Sequence, residues 1–316
     1  MTAKLEYLDR VDLVSLHCPI WTGTKRLRSD DIELGQGGKL PPEQVATLGS
    51  KRIIDPDELA VFRMFKSRAE HVCEAVGVRF LRGFAIPREQ TEAVSQSLDG
   101  IAAEFGQERD SFLARYDQAV ESWVRQYPEF ELQLRKELTP VAYVAKRLGF
   151  EYAVYRISAT ASVTGNLGDQ VGRMGSQLLH EVAMEANELY GKSFAGTPGS
   201  DRKASRRSLR PIRRMREKLA GLAFLDNAIT PMVLAIDALL AAVPKTGPLE
   251  GELFYQALGI VLILSDPDKV RRHGAGHLKV GDMADPMDDM FGEEEIAPED
   301  DVRIVPTPPP AESLYF

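Results

Sequence analysis

The sequence predicts a mainly helical α+β protein, a compact helical body with a small β-sheet from which a long antiparallel helical hairpin of coiled-coil type projects. Three observations predict it. Three short β-prone strips, at residues 13–20, 79–86 and 151–157, suffice for a small sheet and no more. From Arg88 a sustained helical spacing sets in, with Leu98, Ile101, Phe105, Phe112, Tyr116, Ala119 and Trp123 separated by threes, fours and one seven. The same spacing returns at Leu167, Val171, Met174, Leu178, Val182 and Leu189. A helix of roughly forty residues spans ~60 Å and needs a partner along much of its length, so these two helices are expected to pair.

Taken in order, residues 13–20 (LVSLHCPI) read as a strand that runs into the turn signal Trp21-Thr22-Gly23, and residues 35–42 as a Gly/Pro-rich loop. Asp55-Pro56-Asp57-Glu58 opens a helix, with Asp55 as N-cap, Pro56 at the first helical position and two acids in the first turn. It should end at Gly77. Residues 79–86 follow as one strand, closed by Pro87, and residues 140–148 as a short helix between the two arms. Gly165, Gly168, Gly172 and Gly175 admit either a tight approach of another backbone or a helix that starts after them; since each Gly costs about 1 kcal/mol inside a helix, the late start is favoured. Past the linker at 195–200 come an Arg-rich helix and two apolar core helices near 228–243 and 253–264. The expected organisation is therefore 1–87 as a strand-helix-strand part of the body, 88–194 as the hairpin with strand 151–157, 195–272 as the Arg-rich and core helices, and 273–316 as a disordered acidic, Pro-rich tail.

Charge is divided unevenly along the chain. Residues 201–218 hold nine cations (Arg202, Lys203, Arg206, Arg207, Arg210, Arg213, Arg214, Arg216 and Lys218), whereas residues 281–301 hold ten carboxylates and no Lys or Arg. The net charge of −8 thus belongs to the tail, and the body is close to neutral. On a helix, Arg206, Arg210, Arg213, Arg214 and Lys218 would cover one face and Leu209, Ile212, Met215 and Leu219 the buried one. With Arg202, Lys203 and Arg207 this is the candidate nucleic-acid or partner-binding surface; the plainer reading is a solvated face lying over acidic residues of the hairpin or tail. In the tail, Val302, Ile304 and Val305 form a β-prone strip that could add to a partner's sheet edge, or simply be an unstructured end.

Other chemistry finds little support. His17-Cys18 and His71-Val72-Cys73 offer nitrogen and sulfur ligands, but neighbours on a strand, or residues two apart on a helix, do not converge on one metal ion. Cys18 and Cys73 read as plain buried thiols. Residues 165–176 are Gly-rich without the Gly-Lys-Ser/Thr ending of a phosphate loop, so no cofactor is expected. The charged residues at 1–10 are unlike an export signal, and the apolar helices are too short to span a bilayer, which gives cytoplasmic as the expected location and no membrane partner.

The opening strip, residues 13–27 (LVSLHCPIWTGTKRL), together with the long helical middle, resembles a bacterial family of uncharacterised proteins, domain-of-unknown-function family 3150, over roughly residues 5–265. Members of that family look like mobile-element and phage-associated proteins, commonly encoded near a MoxR-type AAA+ ATPase and a von Willebrand A-domain protein. The resemblance implies a working partnership with those two proteins, as adaptor or substrate of an ATPase-driven remodelling system, and gives no catalytic residue to carry over; a long hairpin that presents surface without a pocket makes a non-enzymatic interaction protein the first expectation. Nucleic-acid binding through the 202–218 helix is the alternative, and an enzyme with an unrecognised site the third. Self-association through the long helices is left open.

Overall fold

A computed structural model describes residues 6–28, 48–158, 166–195 and 203–283. A four-stranded antiparallel sheet, with strand order β4-β5-β1-β6, lies between two helical layers except at its edge strand β6, which is largely exposed. These strands are β1 (Val11–His17), β4 (Val78–Phe80), β5 (Gly83–Pro87) and β6 (Glu151–Tyr155). Register is set by Leu13 against Ala85 on one side and Tyr155 on the other. The three expected β segments are thus all present. The second of them, however, is a hairpin rather than one strand: Phe80 pairs with Gly83 across Leu81 and Arg82, both at positive φ (46° and 63°).

Because side chains alternate along a strand, the sheet feeds two cores. Val11, Leu13, Val78, Phe80 and Ala85 face the C-terminal helices, whereas Val14, Phe84 and Ile86 face the N-terminal ones. Gly83 permits this close build, since a Cβ there would sit 2.5 Å from the Val14 carbonyl oxygen of the neighbouring strand. On the N-terminal side lie α1 (Ala60–Val76) and α2 (Arg88–Gln126). Asp55 caps the entry to α1 by accepting from the Asp57 N–H at 3.0 Å, Pro56 opens a 3-10 turn, and Gly77 ends the helix, as the sequence leads one to expect. Phe62 of α1 meets Phe105 and Phe112 of α2 edge-on at 5.1 and 5.6 Å. Arg68 pairs with Glu104 at 2.7 Å at the solvent margin of the same contact. Two short helices, α3 (Glu131–Arg135) and α4 (Val141–Lys146), then fold back on α2.

On the other side lie α5 (Leu167–Ser193), α6 (Leu209–Gly221), α7 (Ile229–Ala242), α8 (Glu252–Leu264) and α9 (Pro267–Gly274). The hairpin expected between the two long helices does not form: α2 packs on α1, and α5 packs on α6 and α8. Their buried stripes belong to different cores separated by the sheet. Both stripes did require a partner, but apolar spacing does not say which one. Two further expectations are corrected. Gly168, Gly172 and Gly175 lie inside α5, which already begins at Leu167, and Gly175 is the point where the Leu225 carbonyl approaches, 2.8 Å from where a Cβ would stand. Residues 273–283, expected in the disordered tail, are packed down instead. Leu278 is buried, its carbonyl accepts from His273 Nδ1 at 2.8 Å, and Gly259 leaves room for the Val280 carbonyl.

Candidate interaction surfaces

The basic helix α6 buries Leu209, Ile212, Met215 and Leu219, the face the spacing assigns to the core. Its cations are mostly taken up inside the molecule. Arg214 donates to Glu185 of α5 at 2.6 and 2.8 Å, and Arg216 forks onto both oxygens of Asp237 of α7 at 2.7 and 2.8 Å. That fork holds the Asp237 carboxyl below the usual carboxylate range. Lys218, placed by helical spacing on the solvent face, is buried at 6% exposure and donates to Glu181 at 2.8 Å. The reason is Glu181 itself, which also accepts from the Arg79 backbone N–H and from Gln177, and so draws an ammonium to the junction of β4, α5 and α6. Arg206 hydrogen-bonds the Pro244 carbonyl, and Lys203, on the short strand β7 (Lys203–Ala204) rather than the helix, lies 3.4 Å from Glu250. Arg207, Arg210 and Arg213 remain exposed, with no side-chain partner among the described residues. Arg202, Val302, Ile304 and Val305 lie outside the described residues.

The cysteines and histidines do not assemble a centre. Burial pushes the Cys73 thiol up to about 12 and raises that of Cys18 as well, so both stay protonated at neutral pH. His71 Nδ1 is 2.6 Å from the Ser67 carbonyl one turn back, and no group of three or more His, Cys, Asp or Glu is placed to hold a metal among the described residues.

Sequence reasoning passed over a different region, the connection that closes the end of α2. Tyr127, Phe130, Leu132, Leu138, Val141 and Tyr143 all lie exposed within it, Leu132 at 73% and Phe130 at 51%. The run 127–143 (YPEFELQLRKELTPVAY) lacks a steady helical period, which hid its apolar content from a search for amphipathic faces. It is nevertheless firmly held. Arg135 binds Glu121 of α2 at 2.9 and 3.0 Å and Glu131 at 2.7 Å, and the buried Tyr116 hydroxyl donates to the Thr139 carbonyl at 2.8 Å.

Between this connection and the ribbon of β2 (Thr24–Arg26) and β3 (Ser50–Arg52) opens a cleft of about 900 Å³. Trp123, Tyr127, Phe130, Leu134 and Leu27 give it apolar walls, and Lys51, Arg52, Glu129 and Gln133 supply the polar groups. Trp123 reaches it because four-residue steps from Phe112 through Tyr116 and Val120 to Val124 rotate the buried seam by ~40° per step, away from the expected Ala119 and Trp123. The indole is fixed there. Its Nε1 donates to the Arg52 carbonyl at 3.2 Å and its ring meets Tyr127 at 4.7 Å. Gln133 Oε1, a buried acceptor, has no hydrogen-bond partner among the described residues.

A protein-family model described as "Protein of unknown function (DUF3150)" matches residues 8–266. No curated protein and no solved structure matches the chain.

Proposed function

The chain belongs to the DUF3150 family, and from that premise we propose that it is a non-enzymatic interaction protein, an adaptor for a MoxR-type AAA+ ATPase and an A-domain protein. One observation carries the reading: six large apolar side chains stand exposed in a single anchored connection, 127–143, where a free monomer would gain by covering them. The two partners come from the family resemblance. Internal pairing of Lys218, Arg214 and Arg216 supports the same choice, because cations already bound to carboxylates have less to offer a phosphate backbone.

Co-expression of the chain with each partner, followed by purification and size-exclusion chromatography with light scattering, tests the reading. The expected outcome is a stable complex with at least one of them, weakened by a combined Phe130→Asp and Leu132→Asp change. Failure to associate with either, at micromolar concentration, would sink it. A second reading rests on Arg210 and Arg213 of α6 and Arg207 of the 3-10 turn that precedes it, three exposed guanidinium groups without side-chain partners among the described residues, and assigns nucleic-acid binding to this segment. Duplex or single-stranded DNA that binds with a steep salt dependence, lost on changing all three to Gln, would favour it.

A further inference from the structure

The cleft at the end of α2 has a chemistry of its own. Three aromatic rings and two leucines line it, and the adjoining ribbon carries Lys25, Arg26, Lys51 and Arg52 in register on its two strands. We propose that the cleft docks a short acidic peptide segment of a protein partner, with one large apolar side chain inserted between Trp123, Tyr127 and Phe130 and a flanking carboxylate against the exposed Arg52. The proposal deepens the adaptor reading and rests on it.

Two features point to that ligand. The volume of about 900 Å³ and the mainly apolar lining suit a bulky side chain with some of its backbone, as preformed ligand sites generally do. The walls are fixed in advance by the Trp123–Arg52 hydrogen bond and the Trp123–Tyr127 contact, so binding orders little that is not already ordered. Charge decides between a peptide and a nucleic acid. Glu129 lines the cleft and Glu137 already pairs with Lys51 at 3.9 Å, so a run of phosphates would meet carboxylates there, whereas a peptide with a single acid beside its anchor can place it on the exposed Arg52.

Selection of a phage-displayed random dodecapeptide library on the immobilised full chain is the test. Enriched peptides are expected to carry one Trp, Phe or Leu beside an Asp or Glu residue. Synthetic copies should bind by fluorescence anisotropy and lose roughly tenfold or more in affinity when the anchor becomes Ala, or when the protein carries Phe130→Asp or Arg52→Glu. Met184→Asp, at an exposed apolar position on α5, should leave binding unchanged, and thermal melts of all three variants establish that they fold. No enrichment, enrichment of basic or anchorless peptides, or binding indifferent to both cleft variants would overturn the proposal. So would oligo(dT) that binds and is lost on Phe130→Asp, which would assign the cleft to single strands instead. No ATPase or A-domain protein enters the selection. A peptide result therefore stands or falls separately from co-purification: partners that bind while peptides do not would leave the adaptor and remove the cleft.

Discussion

Cys73 and Lys218 are two buried polar groups that the fold treats in opposite ways. Lys218 keeps its charge because Glu181 lies 2.8 Å away, while Cys73 is kept neutral by burial first and by the nearby charges of Glu74 and Glu70 second. The thiol makes stability depend on pH with a definite sign. In the unfolded chain a cysteine loses its proton near pH 8.5, about three and a half units below the folded Cys73 at about 12. Below that point the thiol is neutral in both states and contributes nothing; above it only the unfolded chain ionises, so stability falls as pH rises toward 12. At pH 9.5 the loss should be about 1 kcal/mol, before Tyr116, likewise pushed up to about 12 from a higher ordinary value, begins to matter. Urea midpoints of the natural chain and of Cys73→Ala at pH 7 and 9.5 check this. The variant should lose less between the two pH values, and equal losses would refute the assignment. Of these two residues the sequence revealed the buried thiol but not the buried lysine, because Lys218 is called inward by a carboxylate thirty-seven positions away.

At the scale of elements, the boundaries set by local chemistry were the legible ones. Asp55, Pro56 and Gly77 delimit α1 through a side-chain cap, a fixed φ and a helix stop, all of them interactions within a few residues. The β4–β5 hairpin was hidden for the converse reason. Its two-residue loop needs positive φ at both positions, for which Asn-Gly is the usual signal, and here the positions are Leu81 and Arg82. Both side chains are exposed and lose little by replacement. Each non-glycine residue held in the left-handed region costs on the order of 1 kcal/mol or more, so Leu81→Asn with Arg82→Gly should stabilise the protein by about 1–2 kcal/mol. Thermal and urea unfolding would detect it as a raised midpoint with unchanged cooperativity. A lowered midpoint would mean that the Leu81 side chain contributes more than the turn strain costs. The candidate cleft was illegible on the same scale, since it joins the β2–β3 ribbon to the far end of α2, and no local pattern announces a wall built from segments some seventy residues apart.

For the molecule as a whole, the decisive feature is that one thin sheet serves two cores. The long amphipathic stripes of α2 and α5 were plain in the sequence, and so was the mixed α+β class, but the place of the sheet between them was not, because short strips do not disclose that both faces of β1 and β5 are covered while the edge strand β6 stays largely exposed. This arrangement couples the halves. A fragment ending at residue 158 would retain α1, α2 and all four strands, yet leave Val11, Leu13, Val78 and Phe80 without the C-terminal helices that bury them. At about 1.5–3 kcal/mol for each large side chain, that loss alone is comparable to the whole stability of an ordinary domain. The 1–158 fragment is therefore expected not to fold alone, with poorly dispersed amide resonances and binding of hydrophobic dye. In the full chain, tryptophan fluorescence, which reports the N-terminal layer through Trp21 and Trp123, and far-ultraviolet circular dichroism, which reports both layers, should trace one coincident urea transition. Two separated transitions, or a fragment that unfolds cooperatively, would mean that each helical layer is stable by itself and that the sheet is only a shared boundary.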